Sequence, residues 1–89
     1  IRNGRRADAV VRPAGEFSDT DICVIEEGTR RLIAVFNESG SARRGRLDIV
    51  EPGGMPVITE FPSGRRIPTL SIELEIPARD YRLYVMSNR

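Results

Sequence analysis

Leu70-Ser71-Ile72-Glu73-Leu74-Glu75-Ile76 is the stretch that decides the fold. Apolar side chains stand at 70, 72, 74 and 76 and polar ones at 71, 73 and 75, a period of two that matches a strand with one face in a core and one in water. Pro77 ends it, because its ring supplies no N–H to continue a ladder. The same alternation marks residues 81–86, 45–50 with Leu47 and Ile49 inward, and 56–61 as strands. Residues 22–26 and 30–37 read as a hairpin joined across Glu27-Gly28-Thr29, and residues 8–12 as a weaker seventh strand. Ile and Val total 16 against 11 for Leu and Ala, a β-branched excess that favours strands over helices.

The punctuation agrees with this reading. Asn37-Glu38-Ser39-Gly40-Ser41 is a polar loop, Pro52-Gly53-Gly54 a breaker and Pro62-Ser63-Gly64 a tight turn. Short strands separated by such turns, without crossover helices, predict an all-β antiparallel β-sandwich, Ig-like or related, of about seven strands. Residues 1–6 read as a linker or frayed N-terminus and 7–89 as a single domain, since 89 residues support one modest core. The chain opens at Ile1 rather than Met, as processing, tag removal or excision from a longer polypeptide would leave it.

Composition narrows the function classes. The formal charge is +1, from 14 basic and 13 acidic residues, so the overall basic field of nucleic-acid binders is missing. Every basic residue is Arg. The doublets Arg30-Arg31, Arg43-Arg44 and Arg65-Arg66 flank turns, but adjacent strand residues point to opposite faces and divide the charge, so no nucleic-acid partner is expected. The longest apolar run, Leu32 to Phe36, is five residues, too short for a membrane-spanning helix, and no membrane partner is expected. Cys23 is the sole cysteine and reads as a small hydrophobe in a buried strand.

No catalytic or ligand-binding arrangement is complete in the sequence. With no His in the chain, Ser39 and Ser41 cannot join a Ser-His-Asp arrangement. Glu73 and Glu75 share a strand face at roughly 7 Å, a spacing open to paired-carboxylate chemistry. They stand on the wet side of the strand, however, where nothing raises one carboxyl above the other. Glu16, Asp19 and Asp21 gather oxygen ligands suited to Ca2+, but their spacing matches no EF-hand loop, and side-chain-to-backbone turn formation by Ser18, Asp19 and Thr20 accounts for them. The chain is therefore read as no enzyme, with no metal and no cofactor. Sugar binding on exposed aromatics has weak support, because most of Phe17, Phe36, Phe61, Tyr81 and Tyr84 stand where a core needs them.

Residues 30–87 carry a resemblance. The order is Arg31-Leu32-Ile33-Ala34-Val35-Phe36-Asn37-Glu38-Ser39-Gly40, Gly45-Arg46-Leu47-Asp48-Ile49, Ile58-Thr59-Glu60-Phe61-Pro62-Ser63-Gly64-Arg65, then the alternating strand 70–76, Pro77 and the closing strand to Val85. It resembles the C-terminal antiparallel β-sandwich of barrel-type glycoside hydrolases, in which a strand ending in Asn-x-Ser precedes a strand, an acidic-to-Ser-Gly turn and a final alternating pair. The resemblance implies a non-catalytic accessory domain whose partner is the catalytic domain of its own parent chain. In that family the reacting carboxylates lie on the barrel, so it implies no catalytic residue here. A free-standing carbohydrate- or protein-binding module is the alternative.

One strand supplies a reason to expect docking. Leu32, Ala34 and Phe36 alternate with Ile33 and Val35, so both faces are apolar and the second must be covered. In the closing strand, Tyr81, Leu83 and Val85 form the expected inward set. Tyr84, Met86 and Arg82 are left on the other side as the candidate docking residues.

Overall fold

The computed structural model of the chain describes residues 11–50 and 56–87. The proposed linker at 1–6, the first part of the strand expected at 8–12 and the breaker at 52–54 lie outside these residues. Eight strands follow in order: β1 (Val11–Gly15), β2 (Ile22–Glu27), β3 (Arg30–Asn37), β4 (Arg43–Ile49), β5 (Val57–Phe61), β6 (Arg66–Ile67), β7 (Ser71–Ile76) and β8 (Asp80–Ser87). A three-residue 3-10 turn, Asp19–Asp21, precedes β2. The strands form two antiparallel sheets, β1-β4-β7 and β2-β3-β8-β5-β6. The expected antiparallel sandwich is thus the fold, with the two-residue β6 added to the expected strands.

The core lies between the sheets. The small sheet contributes Val11, Leu47, Ile49, Ile72, Leu74 and Ile76, and the large sheet Ile22, Val24, Ile33, Val35, Ile58, Tyr84 and Met86. Strand β7 buries 72, 74 and 76 and exposes 71, 73 and 75, as its alternation requires. The β2–β3 hairpin pairs Glu27 with Arg30, leaving a two-residue loop in which Gly28 takes φ 63°. That left-handed position is where a tight hairpin needs Gly.

Gly15 and Gly45 face each other across β1 and β4 in close backbone approach, and the space Gly45 leaves admits the ring of Phe17. A Cβ on Gly45 would collide with that ring and with the Ala14 carbonyl. Glycine at 45 therefore allows a buried aromatic to fold back onto the sheet it has just left.

The closing strand is inverted relative to the sequence expectation. Tyr84 and Met86 are each 2% exposed and belong to the core, whereas Tyr81 is 55% exposed and Leu83 and Val85 are only half-buried. The cause is pairing: Tyr84 sits opposite Ile33 and Met86 opposite Arg31, so both share the inward face of β3. Arg82 belongs to this inward set too, at its end. Its guanidinium emerges past the core and donates to the carbonyls of Tyr81 (2.9 Å) and Glu75 (3.2 Å), binding β8 to β7. Cys23 is also turned: it lies half-buried on the outer side of β2, while Ile22 and Val24 enter the core.

Asn37 is the one buried polar residue among the described ones, 1% exposed at the end of β3's inward row. Its Nδ2 donates to the carbonyls of Ser41 (2.8 Å), Ile76 (2.9 Å) and Pro77 (3.1 Å). Its Oδ1 accepts from Ser39 N (3.0 Å) and Ser39 Oγ (2.6 Å). One carboxamide thereby holds the loop after β3 and the crossover from β7 to β8.

Asn37→Ala should lower stability by about 3 kcal/mol, because the buried carbonyl of Ile76 and the part-buried one of Pro77 lose their donor together. The shift of the urea midpoint measures this, and an unchanged midpoint would show that the carboxamide holds nothing together. Asn37→Asp should be worse near neutral pH than near the carboxylate's own pKa of about 4, since ionised oxygens would face three carbonyl oxygens.

Candidate functional site

The two outer faces of the sandwich differ in chemistry. On the small sheet, cross-strand pairing sets Arg44 opposite Glu75 and Arg46 opposite Glu73. Arg44 Nε lies 3.5 Å from Glu75 Oε1, and Arg46 Nε 3.0 Å from Asp48 Oδ1. Asp48 also accepts from Ser71 Oγ at 2.9 Å. The hydrogen bonds from Arg46 and Ser71 hold its carboxyl below the usual carboxylate range. These are solvated pairs of opposite sign, the arrangement of a face that stays in water. Glu73 and Glu75 are both exposed members of this ladder, in an open depression that gives neither a desolvating wall.

The five-stranded sheet presents the opposite surface. Register places Cys23, Ala34, Leu83 and Phe61 in one row across β2, β3, β8 and β5, and Ile25, Leu32, Val85 and Thr59 in the next. A third, shorter row pairs Phe36 with Tyr81. Ile25, Leu32, Phe36, Phe61 and Tyr81 are exposed by between 37% and 55%, and they are the exposed large apolar side chains of the described chain. The expectation that the second face of β3 is apolar and open holds in this structure. The candidate residues do not: Tyr84 and Met86 cannot meet a partner from inside the core, and Arg82 is committed to the end of the sandwich. In the central rows of the open face the side chains available are Ile25, Leu32, Ala34, Leu83 and Val85, with Phe36, Phe61 and Tyr81 at its end.

At the Phe36 end of this face lies a cleft of about 250 Å3 formed with Glu38, Arg79, Asp80 and Tyr81. The Phe36 and Tyr81 rings have centroids 6.1 Å apart and are tilted by 36°. Arg79, in the turn from β7 to β8, has φ 61°, a left-handed conformation that costs a side chain about 1 kcal/mol or more relative to Gly. Asp80 Oδ1 accepts from Tyr81 N at 2.7 Å, and its other oxygen lies 3.5 Å from Arg82 Nη1. Sequence reasoning placed most aromatics in the core; only Phe17 and Tyr84 are there. The available signal is that Phe36 and Tyr81 each stand one residue from a strand end, at the close of alternating outer sets, Leu32 and Ala34 in β3 and Leu83 and Val85 in β8, that are apolar throughout.

The acidic loop has a different explanation from metal binding. Glu16 Oε1 accepts from Arg44 N at 2.8 Å and Asp21 Oδ2 from Ser18 N at 2.9 Å, so both carboxylates fasten backbone. Among the described residues, no three His, Cys, Asp or Glu side chains converge as a metal-holding group.

Burial, with the Glu60 carboxylate adding to it, pushes the Tyr84 phenol above its ordinary value. A raised folded-state value favours folding below the unfolded phenol's pKa of about 10, and that contribution is lost as pH climbs through the folded value. The thermal midpoint should therefore drop on the alkaline side, and Tyr84→Phe should flatten the drop. A pH dependence identical in the variant would assign the loss to another group.

No protein-family model, curated protein or solved structure matches the chain.

Proposed function

We propose that the chain is a non-catalytic accessory domain that docks on a larger catalytic domain through the outer face of its five-stranded sheet. The observation that carries this reading is the contrast between the two faces. A wet charge ladder covers one sheet, while the central outer rows of the other carry Ile25, Leu32, Ala34, Leu83 and Val85, with Ile25 and Leu32 exposed. The rows extend across four strands, on the order of 300 Å2 in projection from ordinary strand spacings. A contiguous apolar patch of this order marks an interaction surface more often than isolated apolar residues do. Inter-domain interfaces within one chain are of the size such a patch can nucleate.

That the partner is the catalytic domain of a carbohydrate-active enzyme, a glycoside hydrolase, rests on the resemblance carried by residues 30–87. The solvated setting of Glu73 and Glu75 favours a role without chemistry, because a general acid needs a desolvated or like-charged neighbour to hold its proton.

The test compares Leu32→Asp in the 89-residue chain and in the longer polypeptide whose reading frame encodes it. Leu32 is 37% exposed, so the isolated domain should change by no more than about 0.5 kcal/mol. The parent's melting temperature should fall by several degrees, because the new carboxylate is desolvated at the domain contact. Equal shifts in the two contexts, or a reading frame with no catalytic domain upstream, would replace this reading with that of a free-standing binding module.

A further inference from the structure

We propose that the cleft between Phe36 and Tyr81 is a binding site for a neutral oligosaccharide, gripped by the two rings and by the charged side chains of Glu38, Arg79 and Asp80. The site does not depend on the docking reading. It lies at the end of the sheet, four residues along β3 from Leu32, or about 13 Å at strand rise.

Three features point to a sugar. A pyranose has a C–H face that packs on an aromatic ring and a girdle of hydroxyls that both donate and accept. The cleft supplies the matching halves: two half-exposed rings as its floor, and a rim with carboxylate acceptors and a guanidinium donor. The charges around Tyr81 also balance, with Glu38 and Asp80 against Arg79 and Arg82 and the Glu60 carboxylate of the neighbouring cleft paired to Arg65 at 3.0 Å, which fits an uncharged ligand better than an anion or a cation. Finally, Tyr81 and Asp80 wall a second cleft of about 420 Å3 on their far side, which contains Phe61. Tyr81 is thus the ridge between two depressions with an aromatic in each, a platform suited to a chain of similar units rather than to one compact molecule.

The backbone adds a further reason. Arg79 is held left-handed in a turn that Gly would occupy without strain, and its guanidinium engages none of the described residues. Glu38 is likewise unengaged. Two exposed charged side chains with no partner among the described residues, one on a strained backbone, stand beside the exposed rings; strain of this kind persists where another role outweighs stability.

The experiment is a titration of the 89-residue chain with maltohexaose, cellopentaose, xylohexaose and mannohexaose in turn, followed by NMR of the backbone amides. At least one should shift the amides of residues 36–39 and 78–82 saturably at millimolar concentration, and it should bind more tightly than its monosaccharide. Tyr81→Ala, which removes an exposed ring without opening the core, should weaken binding about tenfold or more. Arg79→Gly should weaken binding while raising the melting temperature, because it removes the contact and the strain together. Leu32→Asp should bind as the parent sequence does, so failure of the docking reading and failure of this one are told apart. The proposal is overturned if no saccharide of the four shifts these amides, if the shifts survive in Tyr81→Ala, or if a proline-rich peptide saturates the cleft where the sugars do not.

Discussion

The carboxamide of Asn37 is the contact on which the upper half of the sandwich depends. It stands where β3 leaves the core, and its donors reach the carbonyls of Ile76 and Pro77, which belong to the other sheet and to the turn leading out of it. An amide can do this because it presents donors and an acceptor from one rigid plane, satisfying buried backbone on two segments at once. With the crossover fixed, β8 must begin opposite the end of β3, where Asp80 pairs with Asn37. Everything along β8 follows from that start, including which side chains enter the core.

The same register creates the surface chemistry. Once Tyr84 faces Ile33, Leu83 must lie beside Ala34, and Tyr81 beside Phe36, on the outside. A sheet that is apolar on both faces and packs against a single partner sheet leaves one of them exposed, as the five-stranded sheet does over β2, β3 and β8. The three-stranded sheet avoids the problem with cross-strand Arg–carboxylate pairs, whose small individual energies matter less than the solvation they keep. One sandwich thus presents two outer faces suited to opposite environments.

Charge at the ends of the inward rows shows how the core is closed. Arg31 and Glu26 pair at 2.9 Å at one end of the large sheet, beside Met86. Arg82 occupies the other end, with its stem along the core and its guanidinium on the Glu75 carbonyl. Long cationic side chains suit these positions because the methylenes cover apolar surface while the head stays in contact with water or backbone oxygen. A charged residue within an alternating set is therefore no sign that the set faces solvent.

By itself the sequence determined the sheet content, most strand positions and the inward set of β7, because there every alternate residue is plainly apolar or plainly polar. It also determined that β3 has two apolar faces. Which face of β8 is buried was decided only by tertiary structure: Tyr81, Leu83 and Val85 are as apolar as Tyr84 and Met86, and alternation defines two sets without saying which is inside. Asn37 was legible as a loop-forming Asn but not as a buried hub, since its carbonyl partners at 76 and 77 lie some 40 residues away along the chain. The cleft at Phe36 and Tyr81 has the same origin, for it needs β3 and β8 side by side in one register. Periodicity reports how a segment meets a core, whereas pairing between distant strands decides which side chains the surface presents.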